Sequence, residues 1–275
     1  MSTLEKVVGA DLLTEIPSFA GIYTQGSDEP SSPAVAARRL LVSLIIPTLN
    51  EAQNLPRVLS ELPTNLHEIL VVDGHSTDDT REIVEGFNGP TRFVTQPGVG
   101  KGDALRHGFE QATGDVIITF DADGSADPSE IPKFVRAIAN GADAALGSRY
   151  LFGGSSDDMT AVREFGNIAL RTITNLVHGV RFTDVTYGYN AFSSLATNQL
   201  VQLGGEFEIE TVNRLMVLRA GLPWIEIPCV ERRRFFGKSN LRPVQAGLRI
   251  TRAIIALRLM PGSCHVRSPG RWRGR

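Results

Sequence analysis

Only two cysteines, Cys229 and Cys264, occur among the 275 residues, and neither has metal-ligand spacing. Neither a disulfide framework nor a thiolate-bound metal organises such a chain, and a reducing cytosol is its expected setting. An excess of one charge is also missing: 28 Lys and Arg face 30 Asp and Glu, for a formal net charge of −2. Nucleic acid is therefore not an indicated partner. No apolar stretch attains the roughly 20 residues that span a bilayer. The first residues lack the basic-then-apolar pattern of a secretory signal, since Lys6 precedes a short mixed run broken by Asp11, Glu15 and Pro17. The expectation is a cytoplasmic protein that does not cross a membrane but can lie peripherally on its inner face. Two familiar glycine signatures are absent as well. At Gly98-Val99-Gly100-Lys101-Gly102-Asp103 the P-loop would need Ser or Thr where Gly102 stands, and the dinucleotide fingerprint would need a third Gly where Asp103 stands.

What is present is the material of one large α/β domain with an appendage: 42% of the residues are hydrophobic and 21% charged. Residues 1–39 read as an N-terminal extension, because Gln25-Gly26-Ser27-Asp28-Glu29-Pro30-Ser31-Ser32-Pro33 has the composition of a flexible linker. The run from Leu40 to Ile46 is apolar at nearly every position, as a strand covered on both faces should be. It halts at Pro47-Thr48-Leu49-Asn50-Glu51, ahead of a helical pattern from about Gln53 to Leu62. Asn50 and Glu51 at that turn can cap the helix or contact a nucleotide. A second buried strand, Ile69-Leu70-Val71-Val72, ends at Asp73, whose carboxylate can accept from a base imide or a ribose hydroxyl. Ser76, Thr77 and Asp78 after it suit caps and first-turn acids. A third strand, Arg92 to Thr95, leads into the glycine loop, where Lys101 near a helix start suits phosphate.

The centre of the pattern is the run Val116-Ile117-Ile118-Thr119-Phe120 ending in Asp121-Ala122-Asp123-Gly124-Ser125. Alternation along an extended backbone would put Asp121 and Asp123 on one side, within reach of one hard cation. Like charges held that close are unfavourable unless a cation lies between them. The reading is a Mg²⁺ or Mn²⁺ site that also holds a diphosphate; the bland alternative is a solvated turn before a helix capped by Asp127. Position favours the first, because loops at the carboxyl ends of parallel strands are where α/β sheets bind ligands. A helix from about Ser129 to Asn140 and a strand from Ala142 to Gly147 follow, ending in Ser148-Arg149-Tyr150. Such alternation gives an α/β fold with a mostly parallel sheet and right-handed crossovers. Its edge gathers Asp73, Asp121 and Asp123 as a nucleotide-diphosphate site.

From about Leu41 to Leu241 the residues resemble family 2 glycosyltransferases with the GT-A fold, within them the dolichyl- or polyprenyl-phosphate sugar synthase branch. The resemblance rests on an ordered set: Pro47-Thr48-Leu49-Asn50-Glu51, Val72-Asp73-Gly74, Gly100-Lys101-Gly102, Asp121-Ala122-Asp123, Gly147-Ser148-Arg149-Tyr150, Asp184-Val185-Thr186, Phe207-Glu208-Ile209-Glu210 and Arg234-Phe235-Phe236-Gly237-Lys238-Ser239. It implies transfer of a sugar from a nucleoside-diphosphate sugar, UDP- or GDP-linked, with inversion at the anomeric carbon. Pro47, Asn50, Glu51, Asp73, Lys101, Ala122 and Arg149 would line the donor site. Asp121 and Asp123 would hold the metal and diphosphate. Asp184, Tyr187, Asn190, Arg234, Lys238 and Ser239 would meet the acceptor, a lipid phosphate or a glycan. Asp123, Glu210 and Arg234 would be catalytic.

The implied chemistry is leaving-group stabilisation. A divalent cation, with Arg234 and Lys101, would neutralise charge growing on the departing diphosphate. A hydroxyl acceptor would need a general base, for which Glu208 and Glu210 are candidates and Glu210 matches the family's Glu. An ionised polyprenyl phosphate would need none. The chain departs from the family where Gly188-Tyr189-Asn190 replaces the usual Gly-Phe-Arg, removing a phosphate-capable cation, and where Asn240 replaces a frequent Lys that Lys238 could substitute. Thr160 to His178 is helical in pattern, with Arg163 and Asn167 one turn apart, either reaching the site or lying on the surface. Residues 40–241 would form the GT-A domain, 242–260 a C-terminal amphipathic helix and 261–275 a disordered tail. That helix carries Arg249, Arg252 and Arg258 among Leu248, Ile250, Ile254, Ile255 and Leu257, so it can lie on anionic headgroups or pack onto the domain. A nucleotidyltransferase would place its Gly-rich loop directly after the first strand, where this chain has Pro47 to Glu51. A non-catalytic nucleotide-sugar-binding protein would have no need of Asp121, Asp123, Glu210 and Arg234 together.

Overall fold

Residues 39–200, 209–237 and 243–260 are described in the computed structural model. In chain order the elements are β1 (Val42–Thr48), α1 (Leu55–Glu61), β2 (Glu68–Asp73), α2 (Thr80–Glu85), β3 (Thr91–Thr95), α3 (Lys101–Gln111), β4 (Val116–Thr119), a short 3₁₀ turn (Pro128–Glu130) and α4 (Ile131–Ala139). They continue with β5 (Ala144–Ser148), β6 (Ser155–Ser156), α5 (Ala161–His178), β7 (Asn190–Ser193), α6 (Ser194–Thr197), α7 (Ile209–Arg219), β8 (Trp224–Pro228), β9 (Val230–Glu231) and α8 (Pro243–Leu259).

Among the described residues the sheet has seven strands in the order β3-β2-β1-β4-β7-β5-β8, and β7 runs antiparallel to both its neighbours. β6 and β9 pair separately. Apolar residues on successive positions of β1 serve both faces of the sheet. Leu44 and Ile46 join Leu59, Val71, Ile118 and Phe134 on one face, while Ile45 joins Leu70, Val72, Leu105 and Ile117 on the other. Burial of this kind favours the sheet by about 25 cal/mol per Å² of apolar area. A further cluster, including Leu146, Val212, Leu215, Ile250 and Ile254, lies among β5, α7 and α8.

Register levels the carboxyl ends of the first strands. Thr48 stands opposite Asp73, and Asp73 opposite Thr95. The turns that follow β1, β2 and β4 therefore open on one edge. β4 ends at Thr119, so Asp121 and Asp123 do not continue the strand as expected. They sit in a turn that reverses at Gly124, where φ is 79° and a Cβ would strike the ring of Phe235 at 2.4 Å. α8 packs against α5 and α7, burying Ala246, Ile250, Ile254 and Leu257. Among the described residues no helix is long and apolar enough to cross a membrane.

Candidate active site

A cleft of about 890 Å³ opens at the carboxyl edge of the sheet. It is lined by Pro47, Glu51, Gly74 and Lys101, by Asp121, Ala122, Asp123 and Arg234, and by residues of α5 and α8. At its centre Lys101 Nζ lies 2.6 Å from Asp121 Oδ1 and 2.7 Å from Glu210 Oε1. Gly188 closes over this group, since a Cβ there would come within 3.0 Å of both Lys101 Nζ and Asp121 Oδ2. Burial is the largest influence on Lys101 and works against its charge, but Asp121 and Glu210 together hold its ammonium well above the usual lysine range. Burial also raises the Glu210 carboxyl, with Lys101 opposing.

Arg234 guards the second aspartate. Its Nη2 is 3.2 Å from Asp123 Oδ2, and its Nε is 3.8 Å from Asp158, which in turn pairs with Arg163 at 3.0 Å. The segment carrying Arg234 is strapped across the turn of the two aspartates. Arg232 N donates to Ser125 O, Phe235 N to Asp123 O and Phe236 N to Asn54 Oδ1. Arg57 of α1 stacks over Phe235 at 3.7 Å. Glu51 completes the acidic group. Its carboxyl is raised chiefly by burial, and Asp123 and Asp121 add to the rise against Asn54 and Arg234.

The donor set open to a cation is thus two carboxylates on one turn. Among the described residues no group of three or more His, Cys, Asp or Glu forms a protein cage. Mg²⁺ and Mn²⁺ prefer hard oxygen ligands, and Mg²⁺ characteristically takes one or two carboxylates with substrate phosphates completing its shell. The residues present fit an ion held jointly with a diphosphate.

Other expected site residues are placed differently. Asp73 is buried and accepts from Ser76 N at 2.8 Å, Ser76 Oγ at 2.5 Å and Thr48 Oγ1 at 3.2 Å, so its carboxylate braces the loop after β2. Asn50, at φ 57°, does not line the cleft; its Oδ1 accepts from Thr77 N. Arg149 reaches the cleft wall yet is 6% exposed, with Nε 2.8 Å from Asp184 Oδ2 and Nη1 3.2 Å from Glu231. Asp184 is 1% exposed and faces Arg149 rather than the cleft. Asn190, in the sheet, accepts from Gly147 N and Arg214 Nη2, both at 3.2 Å, and does not reach the cleft. Tyr187 lines the cleft under Arg149, 4.9 Å from its guanidinium. Lys238, Ser239 and Glu208 lie outside the described residues.

Arg163 and Asn167 both line the cleft. So do Gln96, Asp158 and Arg249, which sequence reasoning did not single out as site residues. Gln96 follows β3, and the strand-end rule that singled out Asp73 could have found it. Asp158 stands in a loop with no periodicity to mark it.

The family model for glycosyl transferase family 2 matches residues 43–199. The polyprenol monophosphomannose synthase of Mycolicibacterium smegmatis is 30% identical over 240 residues, covering 82% of this chain and 89% of that protein. The dolichol-phosphate mannosyltransferase of Pyrococcus furiosus is 37% identical over 150 residues, covering 49% of this chain and only 43% of that longer protein. A crystal structure of glucosyl-3-phosphoglycerate synthase from Mycobacterium tuberculosis, in complex with Mn²⁺, UDP and phosphoglyceric acid, superposes with a TM-score of 0.65 at 18% identity. That match covers 82% of this chain and 80% of the other, and at such identity it speaks for the fold. The chain belongs to glycosyl transferase family 2: it is a glycosyltransferase of GT-A fold that resembles the polyprenyl-phosphate sugar synthase branch.

Proposed function

We propose that this enzyme moves a sugar, with inversion, from a nucleoside-diphosphate sugar to a polyprenyl phosphate, using Mg²⁺ or Mn²⁺ held by Asp121 and Asp123. One observation carries the reading: a single cleft is lined both by these aspartates and by residues of α5 and α8. On the helical side its lining includes Leu170, Ile173, Ala246 and Ile250 together with Arg163 and Arg249. Apolar walls suit a prenyl chain, and guanidinium groups suit its phosphate.

In this reading Pro47, Glu51 and the Gly74 turn receive the nucleoside. The bound metal would neutralise charge on the departing diphosphate. Lys101 and Arg234, already beside the aspartates, share that task. Asp123 and Arg234 are the catalytic pair. Glu210 keeps Lys101 in place, because a phosphate acceptor arrives ionised and needs no general base. The names of the Mycolicibacterium and Pyrococcus relatives support the lipid acceptor, and the Mn²⁺ and UDP of the Mycobacterium tuberculosis complex support the donor and metal.

Peripheral membrane contact on the cytoplasmic face belongs to the same reading. α8 turns Val244, Leu248, Ile255 and Leu259 outward, beside the exposed Arg252 and Arg258, while α5 exposes Phe165 and Leu176. An outward apolar stripe with basic neighbours suits an anionic lipid surface.

The test is nucleoside diphosphate release by the purified protein across UDP- and GDP-sugars, with Mg²⁺ or Mn²⁺, with and without polyprenyl phosphate. Metal-dependent release from one donor that rises with the lipid is expected. Release indifferent to lipid would move the acceptor to a soluble glycan or small molecule, and no response to any donor would remove the proposal.

A further inference from the structure

Each aspartate assigned to the metal already has a cation of the chain against it, and each of those cations has a second carboxylate in reserve. Lys101 Nζ spans Asp121 at 2.6 Å and Glu210 at 2.7 Å. Arg234 reaches Asp123 at 3.2 Å through Nη2 and Asp158 at 3.8 Å through Nε. All are partly or wholly withdrawn from water: Lys101 and Arg234 side chains are each 23% exposed, Asp121 31%, Asp123 17% and Glu210 7%. Withdrawn carboxylates are unfavourable without a counter-charge, so the two cations stabilise the turn when no metal is bound.

We infer that Lys101 and Arg234 are resident counter-ions that couple metal binding to nucleotide binding. A divalent ion arriving alone competes with both cations for the oxygens of Asp121 and Asp123. An ion arriving with a diphosphate brings acceptors on which the displaced ammonium and guanidinium can settle. Glu210 and Asp158 are positioning residues in this scheme, retaining the cations beside the turn when the metal takes the aspartates. The inference rests on the proposed metal and donor site, and it assigns the coupling to named groups. By linkage, whatever diphosphate does for metal affinity, metal does equally for diphosphate affinity.

The experiment is a Mn²⁺ titration of the full chain, followed by the electron paramagnetic resonance of free Mn²⁺, alone and with UDP or GDP. In the unmodified protein the nucleotide is expected to tighten Mn²⁺ by about tenfold or more, within the usual range of such couplings. Arg234→Gln should tighten Mn²⁺ binding in the absence of nucleotide, weaken nucleotide binding, and cut the coupling severalfold. Asp158→Asn should do the opposite to Mn²⁺ alone, because Arg234 then rests wholly on Asp123. Lys101→Met should follow Arg234→Gln, and Lys101→Arg should restore part of the coupling. Arg234 lies at the cleft surface, so its variant tests the inference even if loss of Lys101 unfolds the chain. Joint binding of Mn²⁺ and nucleotide with coupling unchanged in Arg234→Gln, and Mn²⁺ alone no tighter, overturns the inference and leaves the proposed function standing. Absence of Mn²⁺ binding under every condition overturns both.

Discussion

Lys101 decides what Glu210 can do. Its ammonium lies 2.7 Å from Glu210 Oε1, occupying that carboxylate oxygen and favouring the ionised form. Burial pulls the other way and leaves the Glu210 carboxyl raised overall. The account predicts that Glu210→Gln lowers kcat/KM by roughly 30-fold, about 2 kcal/mol, the lower end for truncating one partner of a buried charge pair. The shape of the pH–rate profile should be unchanged. Loss of an acidic limb in that profile would make Glu210 a base after all. At this scale the sequence was legible where chemistry and strand ends coincide, as at Glu51, Asp121 and Asp123; Lys101 was marked by the glycine loop and Glu210 through the family resemblance, and all five line the cleft. It was not legible where residues choose one another. Arg149, just past β5, and Asp184, in the loop before β7, are charged and within matching motifs, yet they satisfy each other, and no local pattern states a pairing across 35 positions.

Arg149 and its partners act at the scale of elements. The guanidinium fastens the end of β5 to the 184–186 loop and to Glu231 of β9, and Thr186 Oγ1 passes the link to Asn167 of α5 at 2.9 Å. Asp184→Ala is predicted to lower the free energy of unfolding by about 3–5 kcal/mol, because it leaves a buried guanidinium short of its partner. Denaturant midpoints would measure this, and a change below about 1 kcal/mol would show that the pair does not hold these elements together. Burial tends to raise the Asp184 carboxyl, but Arg149 outweighs it and holds the group below the usual carboxylate range. A depressed carboxylate stabilises the fold above its unfolded pKa of about 3.9, and this stabilisation is lost as pH falls through the lower folded value. Strong acid is therefore expected to loosen this corner, and the Asp184→Ala variant should lose that part of the acid dependence. The alternation of strands and helices was readable from apolar runs and turn residues. The reversed direction of β7 was not, because a strand of four residues, three of them buried, carries no sign of the direction from which the chain enters the sheet.

At the scale of the molecule, one cleft is lined by the carboxyl edge of the sheet and by residues of α5 and α8. α8 settles one of the alternatives left by its sequence, since its inner side packs onto α5 and α7, while its outer apolar residues remain exposed. Both readings of that amphipathic helix can hold at once. Flotation with vesicles should show binding that needs anionic lipid and weakens with salt, and Arg252→Glu with Arg258→Glu should reduce it by about 1 kcal/mol or more per charge. Binding unaffected by the two substitutions would place the contact elsewhere. Transfer itself is tested by formation of an organic-extractable sugar product from labelled nucleoside-diphosphate sugar, polyprenyl phosphate and Mn²⁺, beside Asp123→Asn. The expected result is a lipid-linked sugar that requires the metal and falls by at least about 100-fold in the variant, as when a group acting on the leaving diphosphate is removed. Sugar transfer that proceeds unchanged without metal or in Asp123→Asn, or a donor consumed with no sugar reaching the lipid, would contradict it.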